Sequence, residues 1–161
     1  MKKFLYTALM LLSSVAMVTS CDDDDNSASL SQTPAADVQG TYSGQLVISY
    51  TDPETQEPVE KSVDATVELS ETENNAYAVN VSLTSESDSR SGVANISTMS
   101  GSYPFCNKGA DAANTFGFFA GEVTGKVCSL NYVSEMTVIV KKKPKKVTTN
   151  YVFTGQLSVL E

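Results

Sequence analysis

From Val38 onward, apolar and polar residues alternate in short runs separated by turn-forming residues. A period of two marks a strand with one buried face. Over Thr41 to Tyr50, the residues Tyr42, Gly44, Leu46, Ile48 and Tyr50 share one face, and Ser43, Gln45 and Ser49 the other. Val59 to Ser70 is the cleanest strand: Val59, Val63, Ala65, Val67 and Leu69 face one way, with Lys61 the exception. Tyr77, Val79, Val81 and Leu83 define a third strand, and Val93 to Thr98 a weaker fourth. Phe116 to Val123, Lys126 to Tyr132, Glu135 to Lys142 and Val147 to Val159 complete the set. Asp52-Pro53-Glu54, Glu71 to Asn75 and Ser85 to Gly92 supply turns. Gly101 to Thr115 has no clear period, and no segment after the linker shows a helical one.

These runs predict an all-β domain, an antiparallel up-and-down β-barrel of about eight strands. An internal echo supports closure. Tyr42-Ser43-Gly44-Gln45-Leu46 near the start matches Phe153-Thr154-Gly155-Gln156-Leu157 near the end. Pairing the first and last strands removes both free edges of a meander. Antiparallel pairing about the two glycines sets Gly44 against Gly155, Leu46 against Phe153 and Tyr42 against Leu157.

The N-terminal region has a different character. Lys2 and Lys3 precede an apolar run from Phe4 to Val18, too short for a comfortable membrane span. Val18-Thr19-Ser20-Cys21 resembles a lipobox, at which a signal peptide is removed and Cys21 acylated; Val18 stands where Leu is usual. Asp22, Asp23, Asp24 and Asp25 follow at once and resemble the export tag of surface lipoproteins in Bacteroidetes-type bacteria. By composition alone they form a solvated, self-repelling spacer. The expected organisation is a signal peptide over 1–20, an acidic tag and unordered linker over 21–37, and one domain over 38–161. The implied location is the outer membrane, exposed at the surface and held through an N-terminal lipid.

Charge and cysteine content narrow the chemistry. The net charge of −8 becomes more negative once Lys2 and Lys3 leave with the signal. Such a chain is repelled by a phosphate backbone, so no nucleic-acid partner is expected. There is no His, which removes the commonest general base and zinc ligand. No catalytic constellation emerges, no cofactor or metal site is expected, and the domain reads as non-enzymatic. Glu60, Asp64 and Glu68 recur on the polar face of a strand and read as solvated exterior. Cys106 and Cys128 form an even pair in an exported domain, read either as a disulfide or as two buried thiols.

Gly40-Thr41-Tyr42-Ser43-Gly44-Gln45-Leu46 after an acidic lipobox, with Met136-Thr137-Val138 and Tyr151-Val152-Phe153-Thr154-Gly155 near the end, resembles the calycin-like, lipocalin-like β-barrel lipoproteins of Bacteroidales. That resemblance implies a barrel and no particular ligand. Tyr103, Phe105, Phe116 and Phe118, with Phe119, flank the irregular stretch and read either as core and plug or as the mouth of an apolar pocket. Lys141-Lys142-Lys143-Pro144-Lys145-Lys146 reads as a solvated hairpin turn or as a basic finger for anionic headgroups or an acidic glycan. Two functions follow. One is a lipid-anchored barrel that binds a small apolar or amphipathic ligand. The other is a structural or interaction lipoprotein with a filled barrel that contacts an envelope or host partner.

Overall fold

The computed structural model describes residues 33–107 and 114–158. Cys21 and Asp22 to Asp25 lie outside the described residues. Eight strands run in order: β1 Gly40–Thr51, β2 Pro58–Thr72, β3 Asn75–Ser85, β4 Ser89–Ile96, β5 Ser102–Cys106, β6 Phe119–Thr124, β7 Val127–Val140 and β8 Lys143–Leu157. Each pairs antiparallel with the next, and β8 returns to β1, so the sheet is a closed ring.

Alternation places the core inside this ring. In β2, Ala65, Val67 and Leu69 are buried while Thr66 and Glu68 between them are exposed. Tyr42, Leu46, Val67, Leu83, Phe105, Phe119, Leu130 and Phe153 belong to one buried cluster. The closing register is the one the echo implies: Gly44 opposite Gly155, Leu46 opposite Phe153, Tyr42 opposite Leu157. Space explains the choice of glycine. A Cβ on Gly44 would run into the backbone of Thr154 and Gly155, so only a bare backbone lets β1 and β8 approach so closely.

The strand count agrees with the sequence reading, but through two errors that compensate. Ser102–Cys106, inside the stretch without period, is β5. A tight turn with positive φ at Ser100 and Gly101 leads into it, the geometry of a two-residue hairpin. Its Phe105 ring occupies the space a Cβ on Gly121 would need, directly across the β5–β6 pair. Conversely, Lys126 to Tyr132 and Glu135 to Lys142 are not two strands. β7 runs unbroken from Val127 to Val140, because Ser134 stays paired with Thr149.

Two smaller corrections concern β3 and the linker. A register shift at Glu71/Thr72 breaks the alternation, so Ala78 and Val79 are both buried and Tyr77 is 65% exposed. The last part of the expected linker is a short helix, α1, Pro34–Val38. Thr33 caps it by accepting from the Ala36 N–H at 3.4 Å, and proline at the first helical turn gives up no needed donor. Ala35 and Val38 are fully buried. The Tyr42 hydroxyl donates to the Val38 carbonyl at 2.7 Å, which stitches helix to ring. The Tyr103 hydroxyl donates to the Asp37 carboxylate at 2.9 Å. Residues 33–158 thus hold the closed sheet, its core and one sealed end, the makings of an independent folding unit.

Candidate functional site

The four candidate aromatic residues do not converge. Tyr103 is partly buried at the α1 end, where it bonds Asp37. Phe105 lies in the core at 2% exposure and Phe116 near the opposite end at 3%. Phe118 faces outward at 62%. Of the two roles the sequence allows them, core and plug fits Phe105 and Phe116.

The cysteine pair is a correction. Cys128 is a free, buried thiol, so Cys106 and Cys128 are not bridged. Register gives the reason. Cys106 on β5 sits opposite Ala120 on β6, whereas Cys128 on β7 sits opposite Val123, three residues along β6. Two strand spacings already separate β5 from β7 by roughly 9–10 Å, beyond the span of a disulfide. Burial pushes the Cys128 thiol up to about 12, which leaves it protonated and unreactive at neutral pH.

The end opposite α1 is closed by the candidate aromatic Phe116 together with side chains that sequence reading did not single out. Asn107 is a buried amide that pins the β5–β6 connection: its Oδ1 accepts from Phe119 N–H at 2.7 Å and its Nδ2 donates to the Gly117 carbonyl at 2.6 Å. Thr115 is laid along the start of β4: its N–H donates to the Ser91 carbonyl at 2.8 Å and its Oγ1 accepts from the Ser91 N–H at 2.7 Å. This places Phe116 over the end of the ring, 4.6 Å from Phe119 and 5.1 Å from Tyr132 between centroids. Tyr132 stacks on Tyr151 at 4.4 Å.

A polar clamp lies over those rings. Arg90, the only arginine in the chain, donates through Nε to both Asp88 oxygens at 2.9 and 3.0 Å. Its Nη1 donates to the Thr115 carbonyl at 2.7 Å. The Tyr132 hydroxyl donates to Asp88 at 3.2 Å, and the guanidinium carbon stands 6.0 Å from the Tyr132 ring centroid. Burial first, then the Asp88 carboxylate, holds the Tyr132 phenol well above its ordinary range. The group stays neutral and donates, so the clamp fixes loops in place. A lone Arg two residues from an Asp was the available signal for it.

Beyond this lid the wall is uneven. The last β6–β7 pair is Phe119 with Tyr132, the last β1–β8 pair Tyr50 with Thr149. β7 and β8 continue as a hairpin to Val140 and Lys143, past the rim formed by the shorter strands. All five lysines of the Lys141–Lys146 run are exposed at its tip. Ile139 is 69%, Met136 58% and Val133 49% exposed on its stem. Comparison with protein-family models, curated proteins and solved structures found no match to the chain.

Proposed function

We propose that this chain is a lipid-anchored cell-envelope protein that acts by surface contact, with a filled calycin-like barrel as scaffold. The observation that carries the reading is the packed interior. Leu46, Val67, Leu83, Phe119, Leu130 and Phe153 are essentially inaccessible. Phe105 fills the space above Gly121. Protein interiors packed in this way leave no room for a guest unless the wall opens. The lipid anchor at Cys21 and the export tag Asp22 to Asp25 rest on the motif in the sequence.

The reading with a small apolar or amphipathic ligand keeps one supporting feature. Ile48, Val63 and Tyr151 are only partly buried against the core. They line the core and keep part of their apolar surface accessible. Native mass spectrometry of the protein purified from its own cells separates the two readings. Surface contact expects the mass of the acylated chain alone. A small molecule travelling with it in stoichiometric amount would move the function to ligand binding. Protease shaving of intact cells tests the anchor: Cys21→Ala should release the protein, and alanine at Asp22 to Asp25 should leave it lipidated but shielded.

A further inference from the structure

The β7–β8 hairpin carries a feature that the scaffold does not explain. From Thr148 to Lys143, β8 pairs with β7 alone, and β7 from Val133 onward has no strand on its other side among the described residues. Six residues of strand extend about 20 Å. The finger ends in a two-residue turn, Lys141-Lys142, between the paired Val140 and Lys143. Both turn lysines have positive φ, 51° and 65°. Asn-Gly suits such a turn; lysine does so at a conformational cost. The turn chemistry therefore argues against lysine at the two positions farthest from the ring, and lysine is there.

Among the described residues, the three outermost lysines, Lys141 to Lys143, form no ion pair. Lys146 bonds Glu135 at 2.9 Å, and Lys145 donates to the Pro53 carbonyl at 2.8 Å. Lys141, Lys142 and Lys143 stand farther out. The β1–β2 loop beside Lys145 holds Asp52, Glu54 and Glu57. The Asp52 carboxylate is turned into its own loop, accepting from the Glu54 and Thr55 N–H groups at 2.7 and 3.0 Å. The turn lies about 10 Å beyond Lys145 along the hairpin. That is about one Debye length at physiological salt, so the acidic body screens the tip only weakly.

We infer that the Lys141–Lys143 tip docks on an anionic lipid surface, with the acidic body held away from it. The apolar stem favours a bilayer over a soluble polyanion. Ile139 and Pro144 face each other across the hairpin directly behind the lysines, and Ile139 is 69% exposed. Basic head groups at the surface with an apolar side chain just behind them is the pattern of interfacial binding. The tip is at the opposite end of the ring from α1, so the contact does not use the tether implied by Cys21. It goes beyond the proposed function and can fail or hold independently of the anchor.

The test uses the chain from Asp22 to Glu161, without acyl groups, and sedimentation with phosphatidylcholine vesicles with and without phosphatidylglycerol. Binding is expected only to the anionic vesicles and is expected to vanish near 1 M salt, where the Debye length is about 3 Å. A lysine near such a surface changes affinity about fivefold, so Lys141→Gln, Lys142→Gln and Lys143→Gln together should weaken binding on the order of 100-fold. The pair Lys141→Asn and Lys142→Gly improves the turn while removing two charges, and should bind at least tenfold more weakly with the fold intact. Lys126→Gln, at the α1 end, should change nothing. Ile139→Ser should weaken vesicle binding roughly fivefold and leave heparin binding unaltered. Equal binding to neutral vesicles, or no loss in the Asn-Gly variant, overturns the inference. Binding to heparin but not to vesicles overturns it in favour of a soluble polyanion.

Discussion

The ring has a tall wall and a short one. β7, β8, β1 and β2 have 14, 15, 12 and 15 residues, whereas β4, β5 and β6 have 8, 5 and 6. In the tall wall, pairing runs without interruption from Tyr42↔Leu157 to Tyr50↔Thr149 and on along the β7–β8 hairpin. In the short wall, β4 meets β5 only at Asn95↔Cys106 and Ile96↔Phe105. Backbone ladders hold the first. Side chains reinforce the second, where the ladders are short: Asn107 to Phe119, Arg90 to Thr115, the Phe105 ring over Gly121 and Phe116 against Phe119. A closed sheet can thus be rigid on one side by hydrogen bonding and on the other by a packed plug.

The largest expected effect comes from breaking the tall wall where its ends meet. Gly44→Val puts a branched side chain into the Thr154 and Gly155 backbone, and should cost more than about 4 kcal/mol and leave no cooperative melt by circular dichroism. Phe105→Ala attacks the short wall instead. It empties the space over Gly121 and should cost about 3–5 kcal/mol in urea unfolding, with a folded state still present. Under native conditions, amide exchange should separate the walls as well. Protons on Ser102 to Cys106 should exchange through local opening, those on Tyr42 to Tyr50 only through global unfolding.

The same comparison is legible in how far the sequence could be read. In the tall wall β1, β2 and β8 alternate over long runs, and the Gly44 and Gly155 echo fixes the β1–β8 register to the residue, whereas the polar Ser134-Glu135 makes β7 read as two strands. β5 was invisible because Ser102-Tyr103-Pro104-Phe105-Cys106 has no period, and Pro104 argues against a strand. α1 was invisible because Pro34 to Val38 is too short to show a helical period. The lid was missed for a different reason. Asp88, Arg90, Asn107, Tyr132 and Tyr151 come from separate elements, and only closure brings them together.

Alkali should loosen the α1 end by way of groups that burial keeps protonated. Burial, and then the nearby Cys128, pushes the Tyr42 phenol up to about 12 from its ordinary 10. Burial takes the Cys128 thiol to about 12 from 9. For groups raised on folding, the stabilisation is full below the unfolded value and is lost as pH rises through the folded one. The melting temperature should therefore hold up to about pH 9 and fall between about pH 9 and 12 in a pH series of thermal melts. Tyr42→Phe leaves the Val38 carbonyl without its donor and should cost about 1–2 kcal/mol at neutral pH. Tyr132→Phe breaks a longer bond to a carboxylate that Arg90 still holds, so about 1 kcal/mol is expected. The smallest effect has the opposite sign. Lys141→Asn with Lys142→Gly should raise stability by about 0.5–1 kcal/mol, because the turn then has the residues its backbone prefers.

Closure between β1 and β8 has one more consequence. In a meander whose last strand lies beside its first, no strand is topologically the beginning. Each hairpin is an equivalent place to cut the loop, provided the old ends are joined. Here the chain after β8 lies beside the start of β1: the Ser158 N–H donates to the Thr41 carbonyl at 2.7 Å, and the Ser43 and Ser158 hydroxyls are 2.7 Å apart, so a flexible linker can lead back to α1. A circular permutant linked from Ser158 back to Thr33 and opened at Gly125-Lys126 should keep every pairing of the ring. Its chain ends would leave between β6 and β7, and the basic finger would stay where it is.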